Sequence, residues 1–268
     1  MPRIDSTTRL SGLIGRGIRY TLSPAIHNYV FDLTGFNAVY LAFDLSEDIF
    51  DNAAAGLVEI ALGLNVTIPY KEKILRYIER SDSIASKIGA VNTIYNKVGY
   101  NTDYLAIKQL VEEKIGRLSG AKCLVFGAGG AAKAASYALG DLGCEIYIIN
   151  RTRTRAEELA QRMKSHGYQA EVIQECSNIK QEIIVNATPE PSSIPRSCIE
   201  GIAAIDLVYR PVKTYLIDAA EKRNMTTIDG LQILVRGALH SQSIWQQRDL
   251  THLEDKVVDY LYAGKYVW

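Results

Sequence analysis

The sequence lacks several features that mark whole classes of protein. No apolar run approaches the length that crosses a membrane, and the first ten residues are polar and charged, where a signal peptide would be apolar. Lysine plus arginine equals aspartate plus glutamate at 30 each, so no net charge attracts nucleic acid or an acidic membrane surface. We therefore expect a cytoplasmic protein that binds neither nucleic acid nor membrane.

Cysteine is also scarce. The four cysteines stand far apart, at Cys123, Cys144, Cys176 and Cys198, and their spacing is not that of a metal site. We expect reduced structural thiols, as in most cytoplasmic proteins, and no bound metal.

What the chain does contain is a long alternation of strand and helix patterns. At 268 residues and 47% apolar content it can form two modest domains with substantial cores. Strands are predicted at residues 10–14, 39–45, 63–68, 123–126, 145–149, 182–185, 203–208 and 226–228. Helices are predicted at residues 24–33, 49–58, 72–78, 104–115, 131–139, 156–164, 213–223, 231–245 and 253–262. This rhythm predicts an α/β protein with mostly parallel sheets and ligands at the carboxyl ends of the strands.

Residues 122–155 have the pattern of a nucleotide-binding βαβ unit. A short apolar strand runs into the turn Gly127-x-Gly129-x-x-Ala132, and an alanine-rich helix follows. Glycines allow the tight turn, and the free N–H groups at the start of the helix are suited to a pyrophosphate.

The residues after the second strand of this unit indicate which dinucleotide is bound. Asn150 and Arg151 stand where an NAD-binding chain would carry an acidic residue. Arg151, Arg153 and Arg155 bring guanidinium groups, which match phosphate oxygens, so we predict NADP. The alternative is that these arginines form a solvated face of the next helix.

Polar residues also cluster at two positions before the cofactor unit. Thr21 and Ser23 stand at a helix entrance, where Ser23 is the expected N-cap and Pro24 the first helical residue. Asn65 and Thr67 alternate with apolar neighbours, so both can point to one side of a strand.

Lys71 and two further clusters complete the set. Lys71 opens a predicted helix, where the positive end of the helix dipole disfavours a cation, although a plain surface lysine is the alternative. Asn92 and Asn101 could be turn residues, and Asp103 could be the N-cap of the next helix. So many clusters before the cofactor unit indicate a site.

The motifs TLSPAIHN, NVTIPYKE, GAVNT, NTD, GAGGAAKA, NRTRTRA, NAT, DLVYRP and DGLQILV, in this order, resemble those of the shikimate dehydrogenase family over nearly the whole chain. The resemblance implies NADP-linked reduction of 3-dehydroshikimate to shikimate, a step towards the aromatic amino acids. It implies a substrate domain of residues 1–103 plus 238–268 and a Rossmann-type NADP-binding domain of residues 104–237, joined by two helices.

The resemblance also implies roles for individual residues. Lys71 and Asp103 would be the catalytic pair. Substrate contacts would come from Thr21, Ser23, Asn65, Thr67, Asn92 and Tyr209. The cofactor would be lined by Gly127, Ala128, Gly129, Gly130, Ala131, Asn150, Arg151, Thr152, Arg155, Thr188, Leu207 and Gly230, with Arg151 and Arg155 on the 2′-phosphate.

These residue types suit the implied reaction. Hydride transfer between a ring carbon and nicotinamide needs a group that gives or takes the alcohol proton, which a lysine oriented by an aspartate can do. Hydroxyl and amide side chains can bind a polyhydroxylated carboxylate. No metal is needed.

The sequence departs from the family at three positions. Thr21 replaces the usual serine, Tyr104 replaces the usual glycine after NTD, and Gly237 stands where a substrate-binding glutamine is usual. Gln232, Arg236, a tyrosine or water could supply the missing contact; otherwise the substrate is a relative of shikimate or is held more weakly.

Several alternatives therefore stay open. They are a quinate-type dehydrogenase, an NADP-dependent enzyme for an unrelated carbonyl, and a non-catalytic metabolite sensor. We expect either a monomer or a homodimer.

Overall fold

The structure is a computed structural model that describes residues 4–190 and 194–267. The chain divides into two compact units. The first unit runs up to Thr102 and resumes with Val235–Tyr266; the second unit comprises Asp103–Leu234 and the C-terminal Val267. The boundaries predicted from the sequence lie one residue away at the first crossing and three residues away at the second, and the roles assigned to the two domains stay predictions.

The first unit contains a six-stranded sheet with helices packed against it. Its elements are β1 (Arg9–Gly15), α1 (Ser23–Thr34), β2 (Ala38–Asp44), α2 (Glu47–Ile60), β3 (Gly63–Val66), β4 (Arg80–Ser81), α3 (Ser83–Ile88), β5 (Thr93–Tyr95) and β6 (Val98–Tyr100). The strand order is β2-β1-β3-β5-β6-β4. β1 is parallel to β2 and β3, whereas β5 is antiparallel to both β3 and β6, so this sheet is mixed.

The second unit contains an all-parallel sheet. The unit begins within α4 (Thr102–Lys114). Its further elements are β7 (Lys122–Phe126), α5 (Gly130–Asp141), β8 (Glu145–Ile149), α6 (Arg153–Ser165), β9 (Ala170–Val172), β10 (Ile183–Asn186), β11 (Ala203–Asp206), α7 (Tyr215–Glu221) and β12 (Thr226–Ile228). The order β12-β11-β10-β7-β8-β9 is that of a doubly wound dinucleotide-binding fold, as the sequence predicts. The chain returns to the first unit within α8 (Gly230–Gln246) and ends with α9 (Glu254–Ala263).

Each unit has its own apolar core. In the first unit, α2 packs Phe50, Ala54 and Val58 against strand residues such as Ile14 and Leu64. In the second unit, Leu124 and Ile184 of the sheet pack against Leu216 and Ala220 of α7. Strand residues buried on both faces explain why β7, β10 and β11 have continuous apolar sequences.

The helix predicted at residues 72–78 is wrong in type. The segment forms a short 3₁₀ helix, Lys73–Tyr77. Its ends are fixed by the hairpin region, because Val91 N donates to Lys71 O at 2.8 Å and Glu79 N donates to Lys97 O at 2.9 Å. The segment between these two anchors is no shorter than α3, so its length alone does not decide the helix type; short 3₁₀ segments are common as connectors of this kind. The dipole argument made for Lys71 therefore loses its basis.

Two predicted helix caps are also wrong. Ser23 is the first residue of α1 and makes no capping bond; instead, Ser23 N donates to Thr21 Oγ1 at 3.2 Å. Asp103 lies inside the first turn of α4 rather than preceding it. In both cases the helix begins earlier along the chain than its polar residue suggests.

The expectation of four reduced cysteines is wrong for one pair. Cys176 and Cys198 form a disulfide, with a Cα–Cα distance of 5.6 Å, whereas Cys123 and Cys144 are free and buried. The sequence separation of 22 between Cys176 and Cys198 conceals the pair, because two separate 3₁₀ turns bring them together only in the fold.

Within residues 4–190 and 194–267, no helix is long and apolar enough to span a bilayer. In the same ranges, no group of three or more His, Cys, Asp or Glu residues has the arrangement of a metal site.

Candidate active site

The carboxyl end of β3 carries the polar segment that the sequence singles out. Asn65 lies in β3, and Thr67 follows it, with Thr67 N donating to Ile14 O at 2.8 Å. A β-carbon at Gly15 would lie 2.5 Å from Thr67 Cγ2, so the glycine at the end of β1 lets this loop approach. The loop continues through a cis Ile68–Pro69 peptide towards Lys71.

Asn65 is the centre of a hydrogen-bond network in the first unit. Its Nδ2 donates to Asn92 O at 3.1 Å, Thr93 Oγ1 at 3.0 Å and Ser241 Oγ at 2.9 Å. Its Oδ1 accepts from Tyr40 OH at 2.9 Å. The carboxamide is therefore held at both of its ends by the protein.

Asn92 belongs to the same network, and its oxygen is held by several donors. Its Oδ1 accepts from Thr102 N at 2.7 Å, Thr93 Oγ1 at 3.1 Å and Thr102 Oγ1 at 3.2 Å. The amide nitrogen of Asn92 must point away from these donors, because a carboxamide presents its oxygen and nitrogen in opposite directions. Asn92 is 7% exposed, so its orientation is fixed in a buried setting.

Lys71 is placed next to Asn92 by main-chain hydrogen bonding. Lys71 O accepts from Val91 N at 2.8 Å, one residue before Asn92. On either side of Lys71, Tyr70 and Ile74 are fully buried, and Tyr70 OH donates to Leu45 O at 2.7 Å. The backbone from which the partly buried lysine side chain projects is therefore rigidly held.

The predicted hydroxyl pair is formed. Thr21 Oγ1 donates to Ser23 Oγ at 3.1 Å and accepts from Ser23 N. Ser23 is buried and Thr21 is partly exposed. The methyl group that Thr21 adds relative to serine leaves this hydrogen bond intact.

The unit boundary falls between Thr102 and Asp103, so Asp103 is assigned to the second unit and Lys71 to the first. Tyr104 is buried, and its hydroxyl donates to Asp141 at the end of α5. Tyr168 OH donates to the other oxygen of the same carboxylate. Burial, followed by the hydrogen bond to Asp141, raises the pKa of Tyr104 well above its ordinary value, so it stays a neutral donor. This ring belongs to the packing of the second unit.

The glycine turn lies between β7 and α5. Gly127 has a φ of 118°, which favours glycine, and a β-carbon there would lie 2.9 Å from Ala187 O. Gly129 precedes the first helical residue, Gly130, and Ala132 is fully buried. Because neither Gly129 nor Gly130 has a side chain, the N–H groups at the start of α5 face no capping side chain from these positions.

The three arginines after β8 differ in their partners. Arg153 Nε donates to Glu157 Oε1 at 2.7 Å along α6. Arg151 and Arg155 are exposed, and in the described ranges neither guanidinium group forms a hydrogen bond or an ion pair. Asn150 Nδ2 donates to the carbonyl of Thr152, which ties the turn before α6. Two cations are thus available to an anion at this turn.

A buried carboxylate organises the far half of the parallel sheet. Asp206, at the end of β11, accepts from Asn186 Nδ2 at 3.0 Å, Val208 N at 3.0 Å and Thr214 Oγ1 at 2.6 Å. It is inaccessible to solvent, and this burial raises its pKa to about 6 in spite of the three hydrogen bonds.

Asp206 thereby connects two loops that carry predicted ligand contacts. In the first loop, Thr188 N and Oγ1 both donate to Asn186 Oδ1. The second loop, residues 207–209, passes Gly230 so closely that a β-carbon there would lie 2.4 Å from Val208 O. Leu207 N donates to Asn186 O, so the two loops share main-chain hydrogen bonds as well.

The structure gives other partners to both residues proposed to compensate for Gly237. Gln232 Oε1 accepts from Lys114 Nζ at 2.7 Å, and Arg236 pairs with Glu254 at 2.5 Å in a largely buried ion pair. Further along α8, Ser241 does join the asparagine network, because its Oγ accepts from Asn65 Nδ2.

Sequence reasoning missed Thr93, Thr102, Ser241 and Asp206. Thr93 and Thr102 stand within the motifs GAVNT and NTD, beside residues that were singled out, and Asp206 opens DLVYRP. Ser241 has no local signal, because it lies in a helix defined by its apolar residues and meets Asn65 across 176 positions of sequence.

Comparison with known proteins covers both units. The profile of the shikimate dehydrogenase substrate binding domain matches residues 13–94, and the profile of shikimate / quinate 5-dehydrogenase matches residues 109–233. A curated protein of Saccharolobus islandicus, named shikimate dehydrogenase (NADP(+)), is 50% identical over 270 residues and covers all of both chains.

Solved structures agree with this match. A shikimate dehydrogenase in complex with NADP+ superposes with a TM-score of 0.85 at 32% identity, covering 96% of this chain and 97% of that one. The Thermus thermophilus shikimate 5-dehydrogenase, in complex with NADP(H) and shikimate, has a TM-score of 0.81 at 28% identity, covering 95% of this chain and all of the other. The chain belongs to the shikimate dehydrogenase family.

Proposed function

We propose that this protein catalyses the reversible NADP-dependent reduction of 3-dehydroshikimate to shikimate. The observation that carries the proposal is the arrangement in the first unit, where an oriented asparagine network adjoins the backbone of Lys71. It pairs a fixed set of hydrogen-bonding groups with one amine, which is the requirement for binding a polyol and moving one alcohol proton. The full-length similarity to an enzyme named shikimate dehydrogenase (NADP(+)) supports it.

The proposed substrate contacts are the hydroxyls and amides already described. Thr21, Ser23, Thr67 and Asn92 present groups that can bind the carboxylate and hydroxyls of the substrate, and Tyr209 adds a phenol from the second unit. Asn65 is part of the predicted set, but its amide hydrogens already have three protein acceptors, so its proposed role is to support its neighbours.

Lys71 and Asp103 are the proposed catalytic pair. In the reduction, the lysine ammonium gives a proton to the oxygen of the carbonyl as that carbonyl becomes an alcohol, and in the oxidation the lysine amine takes it back. Asp103 would hold the ammonium group in the required direction. NADP(H), when bound, supplies or accepts the hydride.

The second unit fits NADP on its own residues. The proposed pyrophosphate contacts are the N–H groups at the turn Gly127–Ala131 and the start of α5, where no side chain from Gly129 or Gly130 competes. Arg151 and Arg155, which lack protein partners in the described part of the chain, would bind the 2′-phosphate. Asn150, Thr152, Thr188, Leu207 and Gly230 would line the remainder.

Absorbance at 340 nm tests the proposal directly. Purified protein with shikimate and NADP should turn over, and the same protein with quinate and NAD should be far slower. Turnover with quinate alone, or with neither alcohol, would overturn the proposal.

A quinate-type or related substrate is the second candidate. Gly237 favours it, because the side chain usual at that position is absent and both Gln232 and Arg236 have other partners. The comparison of shikimate with quinate in the same assay separates the two candidates.

We further propose that the protein acts in the cytoplasm on small-molecule substrates, without nucleic acid, as a monomer or homodimer. Size-exclusion chromatography with light scattering at assay concentration would identify the oligomeric state.

A further inference from the structure

The hydroxyl of Ser241 occupies a central position in the polar network of the first unit. Ser241 lies on α8, four residues after Gly237, and is inaccessible to solvent. Its Oγ donates to Gly237 O at 3.0 Å, which is the main-chain bond typical of a serine inside a helix. Because the hydroxyl hydrogen is used there, the oxygen faces the network as an acceptor.

Three side chains converge on that oxygen. Asn65 Nδ2 donates to it at 2.9 Å, Thr93 Oγ1 lies at 2.9 Å and Thr102 Oγ1 at 3.2 Å. These come from β3, from β5 and from the first residue of α4. One serine therefore ties a helix to two strands and to the residue that directly precedes Asp103.

The same hydroxyls set the direction of Asn92. Thr93 and Thr102 both donate to Asn92 Oδ1, and each also contacts Ser241. Each threonine hydroxyl has one hydrogen, which is directed at Asn92 Oδ1, so the hydrogen that Ser241 Oγ accepts comes from Asn65 Nδ2. Removal of the Ser241 oxygen takes this acceptor from Asn65, whose Nδ2 also donates to Asn92 O and Thr93 Oγ1. Ser241, itself inaccessible to solvent, thus acts on Asn92 through Asn65.

Three other polar residues of this helix make hydrogen bonds to different partners. Gln242 Nε2 contacts His27 Nδ1 at 3.0 Å, and its Oε1 accepts from Gln246. Arg236 pairs with Glu254. Ser243 makes the same kind of helix bond as Ser241, to Leu239 O at 2.8 Å, but its oxygen accepts from Leu250 N at 3.0 Å, away from the asparagines.

We propose that Ser241 is a positioning residue for substrate binding, which supports through Asn65, Thr93 and Thr102 the pocket that Gly237 leaves without a side chain. This inference rests on the proposed function, since it assigns shikimate to the first unit. It deepens that function by explaining how a chain with glycine at position 237 can retain an ordered pocket.

The test compares Ser241→Ala with Ser243→Ala. Each variant removes one buried or partly buried hydroxyl with a bond to the carbonyl four residues earlier, so their effects on the helix are matched. Ser241→Ala should raise the KM for shikimate about fivefold, the loss expected for one net hydrogen bond, and leave the KM for NADP unchanged. Ser243→Ala should change neither constant. Circular dichroism at the assay temperature verifies that both variants are folded.

A double-mutant cycle separates positioning from general loosening. Thr102→Val should also raise the shikimate KM, and the double variant should show less than the product of the two single effects, because both act through Asn92. Should Ser241→Ala fail to fold, Thr102→Val against Ser243→Ala provides the same comparison.

Either of two outcomes would overturn the inference. One is equal constants for Ser241→Ala and Ser243→Ala; the other is a parallel rise in both KM values. Absence of shikimate turnover in the wild-type protein would instead count against the proposed function, so the two failures can be told apart.

Discussion

The two units prepare their candidate sites in opposite ways. In the first unit, side chains bind other side chains: Asn65, Asn92, Thr93, Thr102 and Ser241 are fixed by one another before any ligand is present. In the second unit, the proposed cofactor contacts are backbone groups at a glycine turn and two exposed arginines without partners in the described ranges. Buried amides fixed in direction can distinguish a small ligand by its hydroxyl pattern, whereas a glycine turn and long cations recognise any phosphate of the right spacing. The difference predicts that first-unit variants change the choice of alcohol and second-unit variants the choice of dinucleotide.

Among variants of the first unit, Lys71→Ala should have the largest effect on catalysis. Loss of the proposed proton donor should lower kcat by about 10³-fold, while the dissociation constant for NADP stays the same, because the dinucleotide is proposed to bind the other unit. The measurement is the initial rate at 340 nm at saturating shikimate and NADP, with NADP affinity taken from fluorescence titration.

Lys73→Ala is the matched control. Lys73 is an exposed lysine two residues further on that pairs with Glu47 at 3.6 Å. Equal losses in the two variants would remove Lys71 from the catalytic pair.

Asp206 provides a test of how the second unit is held together. Its folded-state pKa of about 6 exceeds the ordinary aspartate value of 3.8, so folding favours the protonated form. The free energy of unfolding should therefore fall as pH rises from 4 to 6, by up to about 3 kcal/mol, and stay level above that range. Asp206→Asn should lack this fall. Urea unfolding of both proteins at pH 4.5 and pH 7 measures the difference.

Asp218 gives a control of opposite sign. The Lys222 ammonium, followed by Lys213, lowers the pKa of this carboxyl, so its stabilising effect is lost only as the pH falls below its ordinary range. The free energy of unfolding of Asp218→Asn should therefore change between pH 4.5 and pH 7 as that of the wild-type protein does. If the free energies of unfolding of wild type and Asp206→Asn instead differ by the same amount at both pH values, Asp206 stays ionised when folded.

The dinucleotide preference should change with the arginines. Arg151→Ala combined with Arg155→Ala removes the two charge-assisted contacts proposed for the 2′-phosphate and should raise the KM for NADP on the order of 100-fold, with the KM for NAD unaffected. Arg153→Ala should leave both constants within about twofold, since Arg153 is paired with Glu157. A parallel rise for NADP and NAD in the double variant would show that these residues hold the turn rather than the phosphate.

The smallest effect is expected for the Tyr104 hydroxyl, which donates to Asp141. Tyr104→Phe removes one of the two hydroxyls that donate to Asp141 and should lower the free energy of unfolding by about 1 kcal/mol without changing either KM. Tyr215→Phe, at a 43% exposed tyrosine, should be neutral in the same urea titration. A large change in the shikimate KM would mean that Tyr104 shapes the pocket after all.

The second unit was the more predictable from sequence. A strand buried on both faces has a continuous apolar run, and the glycine turn has a fixed spacing, so β7, α5 and β8 can be located from local pattern alone. In the first unit, β5 and β6 have three residues each and pair antiparallel, which is too short for a periodic signal. The 3₁₀ helix after Lys71 was mistaken for an α-helix, and the main-chain bonds that hold its ends come from a hairpin distant in sequence.

The site was predictable where its residues stand within motifs and not where they act at a distance. Asn65 and Asn92 attract attention as polar residues beside strands. Ser241 does not, since a serine in an apolar helix has no distinguishing pattern until the fold brings it to Asn65. Cys176 and Cys198 show the same limit, because composition suggests reduced thiols and only the tertiary structure pairs them.

The Tyr104–Asp141–Tyr168 arrangement constrains how this chain can diverge. With both phenols present, each oxygen of Asp141 has a donor, and the buried ring of Tyr104 fills space at the start of α4. Replacing that tyrosine with the glycine usual in its family would leave a void where the buried ring now lies, while Asp141, which is exposed, would keep Tyr168 and solvent as donors. The step back to glycine is therefore unfavourable, and the reason is lost packing rather than an unsatisfied carboxylate.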